Sequence, residues 1–220
     1  MARPGPRGDL SDAAIVDAAL DLLDDRGPDG MSLRGIATAL GVAPNALYTY
    51  FPDKAALLRA VVDRLIGTHA DLDALADPAV PVRRRIHRLA AGLRDGLISH
   101  PGAAGLVLGA PMDGAQALLL GERLLDALAD GGLEDDEAAR ACYLIIVYLL
   151  GFVALEAVEL DPTAAAPPEE ERMLARRKAF DAVPADVYPR TARTAATMSA
   201  YVGTGQFTWG LDRILDGLHL

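Results

Sequence analysis

The sequence predicts an all-α protein with two parts, a small N-terminal three-helix domain and a larger C-terminal helical bundle joined to it by a fourth helix. Apolar residues recur at three- and four-residue spacings along nearly the whole chain, which is the period of an amphipathic helix. No segment shows the strict alternation that is typical of a strand. Glycine and proline separate short periodic segments before about residue 75 and longer ones after it, which indicates the two parts.

The composition of the 220-residue chain narrows the possible functions. With 21 basic and 31 acidic side chains the net charge is −10, so nucleic acid could bind only at a local basic patch. The single cysteine, Cys142, excludes an intramolecular disulfide and a multi-cysteine zinc site, and it fits a reducing, cytoplasmic location. The first residues lack the apolar region of a secretory signal. The longest apolar run, 141–155, is shorter than the roughly 20 residues that span a bilayer, so we expect a buried helix and no membrane partner.

Two helices with clear ends begin the chain. Ser11 is placed to cap the first helix, and Gly27 is placed to end it in a left-handed conformation. Ser32 and Gly41 have the same roles in the second helix. The apolar stripe of these two helices consists of Ile15, Ala18, Ala19, Leu22, Leu23, Leu33, Ile36, Ala37 and Leu40.

The third predicted helix is short. Pro44 suits a first helical position, and Pro52 disfavours helical geometry in the residue before it, so we expect this helix to run from Pro44 to Phe51. Asp53 then caps a fourth helix. The apolar face of that helix consists of Leu57, Leu58, Val61, Val62, Leu65 and Ile66.

Longer helical patterns fill the rest of the chain. The segment 161–171 is rich in proline, alanine and glutamate and is typical of a loop. The predicted helices lie near 82–99, 103–109, 114–130, 135–160, 169–182, 189–202 and 205–218.

The short third helix carries side chains that a hydrophobic core does not need. Leu47 and Phe51 lie on its inward face, whereas Asn45, Tyr48 and Thr49 point away from the core. A helix, a tight glycine turn and a short helix form a helix-turn-helix, whose second helix lies in the major groove of DNA. Tyrosine and threonine hydroxyls bind phosphates, and asparagine can pair with an adenine edge.

Basic residues flank this helix. Lys54 lies in the first turn of the fourth helix, where the helix dipole disfavours a cation unless a phosphate also docks there. Arg34 lies near the start of the second helix, and Arg3 and Arg7 belong to a flexible basic arm at residues 1–9. We therefore expect a DNA-binding domain at 1–54.

The same spacing is also compatible with a purely structural three-helix cap that has tyrosines on its surface. Residues 1–54 contain more acidic than basic groups, which favours this alternative. The acidic residues concentrate in the first helix, however, and could face away from DNA. They are Asp17, Asp21, Asp24 and Asp25.

The segment "GMSLRGIATALGVAPNALYTYFPDKAALLRAVV" resembles the N-terminal domain of the tetracycline-repressor (TetR) family of transcription regulators. The segments "DALADGGLEDDEAARACYLIIVYLLGFVALE" and "GQFTWGLDRILDGL" resemble the core of its tetracycline-repressor subgroup. The resemblance implies a repressor that binds palindromic double-stranded DNA and releases it on binding a small molecule. It implies a ligand-binding and dimerisation domain at 55–220, with homodimer contacts through the 135–160 helix and the last helix.

The resemblance also implies the residues of the DNA surface and of the effector pocket. The expected DNA-binding residues are Leu33, Arg34, Pro44, Asn45, Ala46, Tyr48, Thr49, Tyr50 and Lys54. The expected pocket residues, each of which could instead be plain core, are His69, Leu89, Leu93, His100, Val107, Met112, Gln116, Leu124, Leu125, Tyr143, Ile146 and Val147.

Three positions depart from the family pattern. Ala43 stands where many relatives have a serine or threonine cap. Val107 and Ala70 stand where the tetracycline repressor has its magnesium-coordinating and second pocket histidines. We therefore expect no metal and no cofactor, and an effector that is mostly apolar rather than a tetracycline–magnesium complex.

Two other functions remain open. A dimeric DNA-binding protein that responds to no ligand would carry the same N-terminal motif. A helical-bundle enzyme is more distant, because the chain has no Glu-x-x-His pair, no HExxH and no phosphate-binding or nucleophile motif.

Overall fold

The computed structural model describes residues 10–107, 109, 111–160 and 167–220, with residues 28–30 described by their backbone only. The predicted arm at 1–9, with Arg3 and Arg7, lies outside the described residues, as does most of the predicted loop after residue 160. In the described part every regular element is a helix, which confirms the all-α prediction. In chain order they are α1 Asp12–Gly30, α2 Leu33–Leu40, α3 Pro44–Leu47, α4 Lys54–His69, α5 Leu72–Ala76, α6 Val82–Ile98, α7 Pro101–Val107, α8 Ala115–Asp130, α9 Asp135–Ala157, α10 Glu169–Asp181, α11 Pro189–Met198 and α12 Thr204–Gly217.

Local capping explains the first helix ends. The Ser32 hydroxyl accepts a hydrogen bond from the Gly35 amide at 3.1 Å, and Gly41 ends α2 in the left-handed region with φ 66°. Gly27 has φ 68° and breaks the helical geometry of α1, although a further turn continues to Gly30. The ends of α2 are those that the sequence predicts. Helix α1 has its predicted break at Gly27 but continues for another turn beyond it.

The third helix is shorter than predicted. Regular α3 ends at Leu47, and the chain continues as a turn through Tyr50. Ala43 offers no side-chain cap, and the Tyr50 amide bonds the Leu47 carbonyl over three residues rather than four. The predicted span to Phe51 is therefore wrong as an α-helix, although the backbone remains coiled up to that residue.

The C-terminal bundle is built around α9. This helix packs against α6, α7, α8 and α12. An 18-residue window of this helix has a mean hydropathy of 2.1, so by length and composition alone the helix could cross a membrane. Its packed face belongs instead to the hydrophobic core of the bundle.

The fourth helix joins the two parts. Its N-terminal end follows the α3 turn directly, and along its length α4 packs against α1, α6 and α8. Helix α10 differs from the other bundle helices, since it has no buried side chain and is held largely by polar contacts. The short α5 is not predicted by the sequence pattern, and α7 begins and ends two residues earlier than expected.

Candidate nucleic-acid interface and effector cavity

The segment 44–51, which we call the α3 turn, exposes polar side chains and is fixed to the hydrophobic core by buried ones. Leu47 has no exposed surface, and Phe51 is also buried, so the two fix the turn to the core. Asn45, Tyr48 and Thr49 are exposed, and Tyr48 has 54% of its surface accessible. Two hydroxyls and one amide therefore project together from a rigidly held element. Such side chains can donate to phosphate oxygens and to base edges.

Basic side chains lie on both neighbouring helices. Asp53 caps α4 by accepting from the Ala56 amide at 2.7 Å, which places Lys54 in the exposed first turn. Arg34 is exposed in the first turn of α2. Neither Lys54 nor Arg34 forms an ion pair with any residue that the structure describes, so both cations face solvent.

Other members of the predicted DNA surface have a different environment. Leu33 is half-buried against the hydrophobic core, so its side chain mainly supports α2. The Tyr50 hydroxyl donates a hydrogen bond of 2.7 Å to the Leu10 carbonyl. Because this hydroxyl already has an acceptor, Tyr50 holds the chain at Leu10 beside the turn. Pro44 is exposed and Ala46 is half-buried.

Part of the acidic charge of α1 is paired with the C-terminal part of the protein. Asp17 accepts a hydrogen bond of 2.5 Å from Arg64 on α4. Asp24 lies 2.6 Å from Nδ1 of His100, just before α7. Two acidic side chains of α1 are thus engaged by the C-terminal part of the protein, while Lys54 and Arg34 are exposed on the helices next to α3.

The bundle encloses a cavity with an entirely apolar wall. About 530 Å³ of space lies between the lining residues, including the mouth, but only about 30 Å³ of it can hold the centre of a water molecule. Six of the predicted pocket residues line it, namely Leu89, Leu93, Val107, Met112, Leu124 and Ile146. The sequence prediction missed Val62, Leu65, Ile66, Ala90, Leu97, Leu120, Ile145, Leu149 and Leu150, although the stripe on the fourth helix already contained the first three.

Four predicted pocket residues do not line this cavity. His69 packs against Gly96 on α6, where an added Cβ would lie 2.0 Å from its ring. Burial and the neighbouring His100 lower the pKa of His69. His100 faces Asp24, Gln116 lies against Gly67 where α4 and α8 meet, and Leu125 is half-buried outside the wall.

Tyr143 and Val147 also lie outside the cavity. They are on the outer face of α9, with 72% and 47% of their surfaces exposed. Each α-helical residue turns the side-chain direction by about 100°, so one step from Ile146 to Val147 moves from the wall to the surface. A difference of one residue along the helix is therefore enough to move a side chain from the cavity wall to the surface.

The outer face of α9 forms an exposed apolar stripe, which we call the α9 stripe. It consists of Tyr143, Leu144, Val147, Leu155 and Val158. On α12 Trp209 is also exposed, while Phe207 and Leu211 face the bundle. Gly210 accommodates Tyr148 of the same chain, since a Cβ there would lie 2.2 Å from the Tyr148 hydroxyl. Five exposed large apolar side chains along one helix are typical of an interface.

No group of three or more histidine, cysteine or carboxylate side chains within residues 10–107, 109, 111–160 and 167–220 is arranged to hold a metal ion. Burial raises the pKa of the Cys142 thiol, which keeps it protonated and unreactive. The described side chains thus provide an exposed polar turn and an apolar cavity, joined by α4.

Comparison with known proteins agrees with this arrangement. Residues 15–61 match the family model "Bacterial regulatory proteins, tetR family", and residues 77–220 match "Tetracyclin repressor-like, C-terminal domain". The HTH-type transcriptional repressor DrrR1 of Streptomyces coeruleorubidus is 26% identical over 98% of this chain and 80% of its own length.

Solved structures give the same result. A possible TetR family transcriptional regulator from Streptomyces coelicolor A3(2) is 32% identical with a TM-score of 0.80, covering 95% of this chain and 98% of its own. ActR of Streptomyces coelicolor in complex with actinorhodin is 23% identical with a TM-score of 0.80, covering 96% and 97%. The matched models span most of the chain, and this protein belongs to the TetR family of bacterial transcription regulators.

Proposed function

We propose that this regulator is a homodimeric repressor, which binds a palindromic operator through two copies of the α3 turn and releases it when a mostly apolar molecule enters the bundle cavity. The observation that carries the proposal is the exposed Asn45, Tyr48 and Thr49 on a turn whose Leu47 is fully buried. Lys54 and Arg34, which form no ion pair with any described residue, supply the local positive charge that a net-acidic chain needs in order to bind DNA.

The α9 stripe supports a homodimer. Its five side chains are exposed, and so is Trp209 on α12. Two copies of the same surface can bury each other about a two-fold axis. A two-fold dimer presents its reading elements to half-sites about 34–36 Å apart, so a palindromic operator follows from the symmetry.

The apolar wall supports the proposed class of effector. A hydrogen-bonding group buried there would have no partner, and leaving such a group unsatisfied costs about 1–3 kcal/mol. The part of the effector that enters the cavity is therefore hydrocarbon, and polar groups stay at the mouth. The cavity has space for little more than one water molecule, so its walls must move apart when an effector enters. Binding of this kind favours a different arrangement of helices, which is what release from DNA requires.

We also assign the DNA-binding domain to residues 1–54 and the ligand-binding and dimerisation domain to 55–220. The protein acts in the cytoplasm and has no catalytic function. The family matches at 15–61 and 77–220 support this division, and the regulatory character of the family supports the absence of catalysis.

The proposal is tested by selecting DNA duplexes from a random pool with the purified chain. We expect a palindrome, bound by two chains per duplex as measured by light scattering of the complex. A selection without any preferred sequence would contradict the proposal.

The effector is sought by thermal melting with pairs of compounds that differ by one hydroxyl, such as naphthalene and naphthol. We expect the less polar member of each pair to raise the melting temperature more and to release the selected duplex. A melting temperature that no compound changes favours the ligand-independent DNA-binding protein.

A further inference from the structure

A side chain of α4 caps the first turn of α8. Oδ1 of Asp63 accepts hydrogen bonds from the amides of Gln116 and Ala117, at 2.8 and 3.0 Å. These are among the first amides of α8, which have no partner within their own helix. The residue before α8 is Gly114, which has no side chain for this role. The cap of α8 therefore comes from a different helix.

The close approach at this point depends on Gly114. A Cβ on residue 114 would lie 2.4 Å from Oδ1 and 2.6 Å from Cγ of Asp63, so no other residue fits while the cap is intact. One turn earlier on α4, Arg59 donates to Asp113 at 2.5 Å. Two successive turns of α4 are thus attached to the start of α8.

Both attached helices contribute side chains to the wall of the same cavity. Val62 and Ile66 line it from α4, and Leu120 and Leu124 line it from α8. Asp63 lies in the same turn of α4 as the first of these wall residues. At its N-terminal end α4 begins with Lys54, directly after the α3 turn. One rigid helix therefore connects the cavity wall, the cap of α8 and the reading surface.

We infer that Asp63 is the positioning residue that transmits displacement of the cavity wall to the DNA-reading turn, because its hydrogen bonds make α4 follow the first turn of α8. The inference rests on the proposed function. It adds the means by which an occupant of the cavity changes the position of α3. Without the cap, α8 can move outward around an occupant while α4 stays in place.

The test uses a side chain in place of the unidentified effector. Ala90 on α6 is buried in the cavity wall, and Ala90→Leu extends a wall side chain into the space. Binding of the full-length chain to the selected duplex is measured by fluorescence anisotropy. In the presence of Asp63 we expect Ala90→Leu to weaken binding about tenfold, within the usual range of coupling between two sites. In a chain that also carries Asp63→Ala, we expect the same change to weaken binding less than about threefold.

Three further variants make the result specific to the cap. Asp71→Ala removes a comparable cap within α5 alone, where Asp71 accepts from the Ala74 amide at 2.9 Å. It should leave unchanged the tenfold ratio between the dissociation constants measured with and without Ala90→Leu. Asp63→Asn keeps an oxygen acceptor and should preserve the ratio, since asparagine caps helices about as well as aspartate. Gly114→Ala displaces Asp63 without altering it and should reduce the ratio as Asp63→Ala does.

Two results would overturn the inference. One is an undiminished tenfold ratio in the Asp63→Ala chain. The other is an Ala90→Leu variant that is folded and dimeric but binds the duplex as tightly as the unsubstituted chain. In both cases the unsubstituted chain still binds the duplex, so the proposed function stands. If the unsubstituted chain binds no duplex, the proposed function itself fails.

Discussion

Arg94 on α6 and Glu156 on α9 form a two-point ion pair inside the bundle. Nε and Nη2 of Arg94 each donate to a different carboxylate oxygen of Glu156, both at 2.9 Å. The arginine is 5% exposed and the glutamate is fully buried. Arg172 on α10 donates to the same carboxylate at 3.0 Å. Since α10 has no buried side chain of its own, this pair also holds the polar part of the bundle to its core.

Removing one member of this pair should strongly destabilise the fold. Arg94→Met leaves the Glu156 carboxylate buried with one fewer partner, and loss of a buried partner typically costs about 3–5 kcal/mol. The double replacement Arg94→Met/Glu156→Leu should recover only part of that loss, because no unpaired carboxylate remains at residue 156 but Arg172 loses its acceptor there. Urea unfolding measures both values. As a control, Arg213→Met breaks an exposed pair with Asp216 and should cost less than about 1 kcal/mol. Equal losses for Arg94→Met and Arg213→Met would contradict this account.

Replacing Lys54 should weaken DNA binding without changing sequence preference. We expect Lys54→Ala to reduce the slope of log affinity against log salt concentration by about one, since one phosphate contact is lost. The matched control is Lys178→Ala, which removes the other lysine of the chain, on the polar helix α10. Its salt slope should equal that of the unsubstituted protein. A slope that is unchanged in both variants would remove Lys54 from the DNA surface.

The two tyrosines of the α3 turn should respond oppositely to loss of their hydroxyls. Tyr50→Phe removes the hydrogen bond to Leu10 and should lower the free energy of unfolding by about 0.5–1.5 kcal/mol. Tyr48→Phe should leave stability unchanged, because its hydroxyl bonds no described residue, and should weaken DNA binding. Unfolding by urea and anisotropy with the selected duplex separate the two effects. A stability loss in Tyr48→Phe, with none in Tyr50→Phe, would reverse the assignment.

Features that depend on neighbouring residues could be predicted from the sequence. The Ser32 and Asp53 caps, the left-handed Gly41 and the burial of Leu47 all follow from spacing and residue type within a few positions. The length of α3 could not be predicted, because both an α-helix and a looser turn fit between Pro44 and Pro52.

The sequence does not show which side chains that are far apart along the chain contact each other in the folded protein. Glu156 and Glu159, next to an apolar run, suggest a helix edge or a dimer seam, yet Glu156 is fully buried because Arg94, 62 residues earlier, faces it. The His100–Asp24 contact between the two parts joins residues that are 76 positions apart in the sequence. Helix periodicity shows which side chains share a face, but only packing decides whether that face lines the cavity, as for Ile146, or the surface, as for Val147.

A charge on the α9 stripe should dissociate the dimer. Val147→Glu places a carboxylate within an apolar surface, where burial of an unpaired charge costs several kcal/mol. We expect sedimentation to give a monomer for this variant and a dimer for the unsubstituted chain. Tyr48→Glu, a comparable change of an exposed aromatic residue in the α3 turn, should remain dimeric. If Val147→Glu also remains dimeric, the subunits associate through another surface.

Protonation of His69 should make stability depend on pH. Burial, and then the nearby His100, lower the pKa of His69 below its ordinary value of 6.5 in the folded protein. Between that lowered pKa and 6.5 the unfolded chain binds more protons than the folded chain, so the free energy of unfolding falls as the pH decreases through this window. His69→Gln removes the group, and this variant should lose less stability than the unsubstituted chain when the pH is lowered from 7.5 to 5.5, at about 25 °C. Urea unfolding at both pH values gives the two differences. Identical pH dependence would mean that His69 titrates alike in the folded and unfolded chains, and that its packing against Gly96 does not exclude water.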